Sequence, residues 1–361
     1  ILSAKIAKTI QSNKYMLIFI LTGIAVLSQN LIPVHIAFIP IIIPPLLSLM
    51  NKLKLDRRAV ACGLAFGLKA PYIAIPAGFG LIFQGLIADN LTQNGLIVSK
   101  NEIWQSTWVL GAGMFVAFLI AIFITYAKPR TYLDNEVKEI KNISTTLHTN
   151  HYITLIAAIL TLVVQLVTGS LPLGALVGLS VIFGFRAIDH DKMDKLINEG
   201  VGLMGYVAFV MLVAAGFAAV MKETGGIDNL ITTITPYIGI NKILAAGLML
   251  FVGLFVTMGI GTSFGTIPIL AVLYVPICVK LGFSIPAIIV ILAAAAALGD
   301  AGSPASDTTL GPTAGLNADG QHNHIWDTCV PTFLHYNIAI IITAHAPPHE
   351  NLLQLIVSDG E

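Results

Sequence analysis

Long apolar stretches alternate with short polar segments along almost the whole sequence. A helix needs about 20 apolar residues to cross the ~30 Å hydrocarbon core of a bilayer. The stretches that approach or exceed this length are Tyr15–Met50, Arg57–Ala88, Trp104–Ala127, Tyr152–Thr168, Leu171–Arg186, Gly200–Met221, Ile243–Val279 and Ile285–Gly299. This pattern predicts an all-α protein that crosses the membrane several times.

The first and the seventh of these stretches are too long for a single crossing. Polar residues and prolines interrupt both, at Ser28–Pro45 in the first and at Gly259–Pro276 in the seventh. Because proline and glycine break a helix, each stretch is predicted to form either two short helices or a helix with a re-entrant hairpin. Both arrangements return the chain to the side of the membrane from which it came.

Lysine and arginine mark the cytoplasmic ends of membrane helices. They group before and after the first stretch, between residues 128 and 141, and between residues 186 and 195. The segment 89–102, in contrast, has Lys100 as its single cation. These positions give a consistent alternation of inner and outer loops, in which 128–150 is a cytoplasmic loop.

A faint internal repeat runs through the sequence with an offset of 228 residues. Pro40 and Pro76 in the first half correspond to Pro268 and Pro304 in the second. The charge pattern starts the first copy inside and the second copy outside, so the copies are predicted to be inverted. Inverted repeats with broken helices are the architecture of many secondary transporters.

The repeat predicts the organisation of the chain. Residues 15–127 form the first copy and 151–344 the second, while the helices that open the second copy have counterparts that would precede residue 1 by roughly 75 residues. The final apolar run, Thr332–Ala344, is shorter than a membrane crossing. We therefore interpret 345–361 as an atypical tail after a disrupted last helix, with a short re-entrant element as the alternative.

Composition supports a membrane protein and excludes several function classes. Charged residues make up 11% of the chain, hydrophobic residues 56%, and the mean hydropathy is +0.86, whereas soluble domains carry about 25% charged residues. The formal net charge is zero, which argues against a nucleic-acid partner. The three cysteines lie far apart, and no nucleotide-binding or nucleophile motif occurs. Neither a cofactor nor an enzymatic activity is predicted.

The densest polar cluster beside an apolar helix lies between residues 298 and 315. Asp300 directly follows an alanine-rich run, and Asp307 comes seven residues later. A carboxylate near the bilayer is costly and marks a functional site by default. Glycines and prolines free backbone carbonyls in the same segment, and the hydroxyl groups there belong to Ser303, Ser306, Thr308 and Thr309.

Carboxylate, hydroxyl and carbonyl oxygens together suit a hard cation such as Na⁺. A carboxylate that holds Na⁺ and H⁺ in turn couples the two fluxes, so these ions are expected as cargo. The alternative is an ordinary loop outside the membrane in which Asp307 caps a helix. The matching element of the first copy, 69–80, lies inside an apolar stretch, which favours the membrane site.

Further candidates lie at the other helix breaks. Asn30, Thr262 and Ser263 offer uncharged ligands, although tight packing of small residues is the alternative for the glycine-rich break. Lys69 sits in an apolar run and is a candidate for coupling or gating, either paired with a carboxylate or reaching to an interface. His35 is a candidate proton carrier, with a structural hydrogen bond as the alternative.

Two histidines, His322 and His324, stand close together in the polar segment 321–327. Two ligands without a third at a metal spacing are a weak signal for a metal site. A polar cytoplasmic loop or gate is the preferred interpretation.

The string Gly299-Asp-Ala-Gly-Ser-Pro-Ala-Ser-Asp-Thr-Thr309 resembles the NhaC-type Na⁺/H⁺ antiporter family of the ion transporter superfamily. The resemblance continues through Leu316–His322 and Ile325–Phe333, and Ser28–Pro40 is similar to a branch that holds antiporters and amino-acid permeases. It implies an inverted-repeat transporter that binds a cation near Asp300 and Asp307.

One departure from the family pattern concerns charge. The family carries a lysine directly after the Gly-Asp pair, whereas this chain has Ala301, and the loss of that charge puts Na⁺/H⁺ exchange in question. Na⁺/H⁺ antiport across the inner membrane is the first prediction. Cation-coupled uptake of an amino acid such as histidine or methionine is the alternative, and a non-transporting scaffold ranks third. The expected partners are the lipid bilayer and the small solute, and a homodimer is left open.

Overall fold

A computed structural model gives the three-dimensional structure of the chain. It describes residues 13–30, 35–133, 149–168, 170–188 and 241–345, together with short pieces between 193 and 233. The predicted run Gly200–Met221 therefore lies largely outside the described residues. Within the described part the regular structure is entirely helical, which confirms the predicted fold class.

We number the longer helices in chain order. They are α1 Lys14–Asn30, α2 Ile39–Lys52, α3 Arg57–Ala74, α4 Phe79–Gln93, α5 Lys100–Thr125, α6 Thr149–Thr168, α7 Leu171–Gly184, α8 Lys242–Ile260, α9 Ser263–Lys280, α10 Ile285–Ala297, α11 Asp307–Leu316 and α12 His324–Ala344. Five of them are long and apolar enough to cross a membrane, and α3 with α4, bent by 47° at a short break, supplies a sixth span if the pair is one crossing.

The two overlong apolar stretches each form two helices, one of the two predicted arrangements. In the second half, α8 ends at Gly261, whose φ of +77° is left-handed and closes the helix. Thr262 is the N-cap of α9, so the turn between the helices is two residues long. In the first half, α1 and α2 are separated by 31–38, of which only His35–Phe38 is described.

Helix boundaries in the two halves recur with the predicted offset. The side-chain oxygen of Asn13 accepts hydrogen bonds from the backbone of residues 15 and 16, and that of Asn241 does the same for residues 243 and 244. Four boundary pairs are each 228 residues apart: Lys14 with Lys242, Lys52 with Lys280, Arg57 with Ile285, and Phe79 with Asp307. The inversion of the two copies across a bilayer stays a prediction.

The last helix is longer than the sequence indicates. It begins at His324 and continues for 21 residues to Ala344, long and apolar enough to cross a membrane. The prediction that this run is too short was wrong, because its first turns contain Asp327 and look like a loop. Arg130 pairs with that carboxylate at 2.7 Å, so a helix forms where hydropathy alone stops. The tail beyond His345 lies outside the described residues.

Helices of the two halves pack against each other through the core. The almost fully buried α3 contacts α1, α5 and α11, while α10 lies among α8, α9 and α5. Segments that the charge pattern assigns to one side are in contact, as in the hydrogen bond from the Arg130 backbone to the Lys54 carbonyl. This packing brings the last turns of α3 to the break that follows α10.

Candidate functional site

The break between α10 and α11 is a buried loop, residues 298–306. Gly299 has a φ of +80°, and a Cβ at this position would lie 2.3 Å from the carbonyl oxygen of Leu254. Only glycine fits both the left-handed backbone and the contact. Small side chains bring α8 and α10 together in the same way, since a Cβ on Gly253 would lie 2.5 Å from that of Ala295. The alanine-rich sequence thus places the loop deep in the helix bundle.

Asp300 is the centre of this loop and is 4% exposed. Its Oδ2 accepts hydrogen bonds from Lys69 Nζ at 2.5 Å, Ser263 Oγ at 2.8 Å and Tyr72 OH at 3.2 Å. Its Oδ1 accepts from the hydroxyl of Ser306. We call these five side chains the Asp300 cluster; they come from α3, the start of α9 and the loop itself.

The Lys69 ammonium lies where three oxygens converge. Besides Asp300 Oδ2, the Ser263 hydroxyl and the Tyr72 hydroxyl are each 3.2 Å from Nζ. The Lys69 side chain is 1% exposed, so it reaches a carboxylate and not an interface. The positive charge that the family pattern places directly after the Gly-Asp pair comes here from a different helix.

Lys69 and Asp300 form a neutral pair in a buried environment. They are 231 residues apart in sequence and belong to different halves of the molecule. Removing one partner of a buried pair leaves an uncompensated charge, which costs about 3–5 kcal/mol. The pair therefore ties the halves together strongly as long as both charges are present.

Sequence reasoning missed Tyr72, which contacts both charges of the pair. A signal existed: Tyr72 and Asp300 are 228 residues apart, so they occupy equivalent positions of the predicted repeat. Applying the repeat offset to the aspartate would have identified the tyrosine. The site is thus built at matching points of the two copies, with a carboxylate in one and a phenol in the other.

The other hydroxyl residues of the loop hold its backbone in place. Ser303 donates to the Met258 carbonyl at 3.0 Å, and Thr308 donates to the Asp300 carbonyl at 3.1 Å. Thr309 donates to the carbonyls of Ser303 and Ser306. Of the four predicted hydroxyl ligands, only Ser306 touches the Asp300 carboxylate among the described contacts.

Several predicted site residues lie outside the cluster. Asp307 is exposed in the first turn of α11, whose N-cap is Ser306. Thr262 is half-buried, and its carbonyl accepts from Thr266. His35 is in a short 3₁₀ turn, and its side chain lies outside the described part.

The break between α3 and α4 has a different chemistry from the loop at Asp300. Asn30 donates from Nδ2 to the carbonyls of Pro71 and Ile75, at 3.1 and 3.4 Å. Gln84 and Thr107 both donate to the Ile73 carbonyl. Side-chain donors thus occupy the backbone oxygens that a cation would need, so this break supports the bundle and does not offer a second carboxylate site.

A second buried ion pair joins the halves at the predicted cytoplasmic end. Arg57 donates to both oxygens of Asp319, at 2.7 and 2.5 Å, and also to the Leu316 carbonyl and to Asn51. Burial alone raises the pKa of Asp319, but the hydrogen bonds and charge of Arg57 outweigh it and bring that pKa below its usual value. The contact joins the start of α3 to the end of α11.

The chain after α5 closes over this end of the molecule. Arg130 pairs with Asp327 at 2.7 Å and lies 3.9 Å from Asp56. The Tyr132 hydroxyl accepts from the Arg57 backbone at 3.0 Å, and its ring lies under the Arg57 guanidinium. Ion pairs and a cation–π contact thus connect all three segments at the predicted cytoplasmic surface.

His322 lies beside this end and is 1% exposed. Its Nε2 is 2.7 Å from the Thr328 hydroxyl. Within the described residues, no three histidine, cysteine or acidic side chains are grouped to hold a metal ion. The two histidines of this segment are therefore hydrogen-bonding groups in a polar loop.

We expect stability to fall in mild acid because of His322. Burial lowers the pKa of His322 to about 4, whereas an unfolded histidine titrates near 6.5. Between these values the unfolded state binds more protons, so the free energy of unfolding decreases as the pH falls, by about 3 kcal/mol in total. Thermal unfolding in detergent between pH 7.5 and pH 4 measures this slope.

His322→Gln should flatten the slope, whereas the same change at the exposed His345 should leave it as in wild type. Equal slopes for all three proteins would contradict a buried neutral imidazole.

Relatives and solved structures place the chain among membrane transporters. It is 51% identical over 332 residues to an uncharacterized membrane protein of Vibrio parahaemolyticus, covering 91% of this chain and 75% of the relative. It is 49% identical over 338 residues to a Bacillus subtilis protein named "Putative amino acid transporter YuiF", covering 91% and 76%. The crystal structure of the Alcanivorax borkumensis YdaH transporter matches 99% of this chain and 81% of that one, with a TM-score of 0.62 and 16% identity.

The structural match shows a shared helical transporter fold, and the relatives show a multi-pass membrane protein. The model of the Na⁺/H⁺ antiporter family matches residues 63–346, which include both Lys69 and Asp300. The chain therefore belongs to the Na⁺/H⁺ antiporter family.

Proposed function

We propose that this protein is a secondary active transporter of the inner membrane that exchanges Na⁺ for H⁺ at the Lys69–Asp300 pair. The observation that carries the proposal is the position of the Lys69 ammonium, which lies among Asp300 Oδ2, Ser263 Oγ and Tyr72 OH. Such a set of oxygens suits a bare cation as well as an ammonium group. The family and the fold, both those of transporters, support the same function.

The proposed exchange follows from charge balance. When Na⁺ binds to Asp300, the Lys69 ammonium loses its counter-charge in a site without access to bulk water. A buried charge without a partner is costly and neutralises instead, so Lys69 releases one proton. When Na⁺ leaves, Lys69 takes a proton back and pairs with Asp300 again. The site has no net charge in either state, which predicts one Na⁺ for one H⁺.

The packing of the two halves suggests how access alternates. Lys69 belongs to α3 and Asp300 to the loop after α10, so a movement of one half against the other changes which side the pair faces. Transporters with broken helices and repeated halves work by this kind of rocking. At the predicted cytoplasmic end, Arg57 and Asp319 join the halves, and in this scheme they separate when the protein opens inward.

Amino-acid uptake is the second candidate, supported by two observations. The Bacillus subtilis relative carries the name of an amino acid transporter. An α-amino acid is a zwitterion, and a buried site with one cation and one anion is complementary to it, since its carboxylate can pair with Lys69 and its ammonium with Asp300. In this scheme the substrate separates the pair and replaces one ion pair with two.

A transport assay in liposomes separates the two functions. The purified protein is reconstituted with a pH-sensitive dye inside, and a Na⁺ gradient is imposed with and without a panel of amino acids. For exchange we expect Na⁺ alone to drive proton movement in the opposite direction. Uptake of a labelled amino acid that requires a cation gradient, with no response to Na⁺ alone, would reject exchange and establish the second candidate.

A further inference from the structure

The two histidines of the polar loop are connected by a continuous row of side-chain hydrogen bonds. His324 Nδ1 is 2.8 Å from Thr313 Oγ1, which is 3.0 Å from Thr328 Oγ1. Thr328 Oγ1 is in turn 2.7 Å from His322 Nε2. None of the exchange chemistry described above uses these four side chains, which come from α11, from the loop after it and from the first turns of α12.

The row begins at the loop that holds Asp300. His324 Nε2 is 2.9 Å from the carbonyl oxygen of Pro304, which lies between the loop residues Ser303 and Ser306. Ser306 in turn donates to the Asp300 carboxylate. One end of the row is therefore fixed to the loop whose side chains form the proposed cation site.

The other end is a buried atom that still needs a partner. His322 Nδ1 is buried and makes no hydrogen bond with any residue that the structure describes. The charged groups whose fields act on this imidazole are Asp327, Arg57, Arg130 and Asp56. These are the groups that close the predicted cytoplasmic end, so the free nitrogen lies beside the polar surface there.

Every member of the row can accept one proton and release another. Hydroxyl groups both donate and accept, and a neutral imidazole has one nitrogen of each kind. A purely structural contact would be complete once each atom had one partner. A row that links two imidazoles through two hydroxyls, with a buried nitrogen left over at its end, has the form of a proton path.

We propose that His324, Thr313, Thr328 and His322 form a proton relay between the loop that holds Asp300 and the cytoplasmic end, a role that rests on the Na⁺/H⁺ exchange proposed above. A protonated His324 gives its Nδ1 proton to the Thr313 oxygen, and Thr313 gives its hydroxyl proton to Thr328. Thr328 gives its own to His322 Nε2, and His322 releases the proton on Nδ1.

The sequence of transfers is balanced. One N–H bond breaks at His324 and one at His322 Nδ1, one N–H bond forms at His322 Nε2, and each hydroxyl exchanges its proton for another. His322 changes tautomer without becoming an imidazolium, as its buried position requires. The net result is one proton delivered at the cytoplasmic end, and the reverse order serves flux in the other direction.

Thr328 gives a sharp test, because valine has nearly the same shape without the hydroxyl and serine keeps it. We expect Thr328→Val to slow Na⁺-driven proton movement in liposomes by at least ~10-fold. Thr328→Ser should stay within about two-fold of wild type. Exchange of radioactive Na⁺ across the membrane without a pH gradient should be unchanged in both variants, because it needs no net proton transfer.

Other outcomes would overturn the relay. If Thr328→Val slows both kinds of exchange equally, or neither, or if serine fails where valine fails, these side chains have only a structural role. A wild-type protein that moves no protons would refute the exchange function itself. NMR titration of isotope-labelled histidine then decides the relay separately: protonation of His324 should shift the signals of His322 in wild type and Thr328→Ser, but not in Thr328→Val.

Discussion

Replacing Asp300 with asparagine is expected to abolish cation-coupled transport. The amide keeps the shape of the carboxylate but offers no negative charge to Na⁺ or to Lys69. Truncating one partner of a buried charge pair costs about 2–5 kcal/mol, so cation binding should weaken by roughly 30-fold or more. The liposome assay with a Na⁺ gradient measures this loss, and thermal unfolding should show a lower midpoint because Lys69 is left without its counter-charge.

Asp307→Asn is the matched control, since it makes the same chemical change at an exposed position of the same segment. We expect near wild-type transport and a change in stability within about 0.5 kcal/mol. The double variant Lys69→Met, Asp300→Asn removes both charges, and should recover stability without recovering transport. If Asp307→Asn abolished transport while Asp300→Asn kept it, the cation site would have to be moved to the exposed carboxylate.

Arg57→Ala is expected to destabilise the folded protein by about 3–5 kcal/mol, because it leaves Asp319 buried without its partner. Arg57 and Asp319 are 0% and 1% exposed and share two hydrogen bonds. Arg57→Lys should recover only part of the loss, since an ammonium cannot form the same paired contacts. Thermal and denaturant unfolding in detergent measure the differences.

The adjacent Arg58 provides the control on the same helix turn. Its side chain is 35% exposed, although it pairs with Asp56 at 2.6 Å. A partly exposed pair contributes up to about 1 kcal/mol, so Arg58→Ala should be mild. Equal effects for the two arginines would mean that the buried contact does not hold the halves together.

Much of this architecture could be predicted from residue patterns. The interruption at Gly259–Ser263 foretold two helices, and the offset of 228 residues recurs at four pairs of helix boundaries. Asp300 was identified because a carboxylate beside an apolar, alanine-rich run is costly without a use. These inferences succeeded because they depend on local sequence and on the physics of the bilayer.

What could not be predicted depends on tertiary contacts. Nothing in the local sequence distinguishes Asp307, which is exposed, from Asp300, because both follow small residues in the same segment. The start of α12 at His324 depends on Arg130, which neutralises Asp327 from almost 200 residues away, at |i−j| of 197. The pairing of Lys69 with Asp300 required knowing which helix faces the loop.

The origin of the two central charges in different halves has a consequence for how the protein is made. Ribosomes add about 5–20 residues per second, so Lys69 waits roughly 10–50 s for Asp300, which is 231 residues further along the chain. A lysine at the centre of a membrane helix costs about 2.5–3.5 kcal/mol during insertion. The α3 segment therefore enters the bilayer as a poorly inserting helix, retained near the insertion machinery or tilted toward the surface. Its final depth is reached only when the second half arrives, which makes late assembly of the halves a built-in checkpoint of biogenesis.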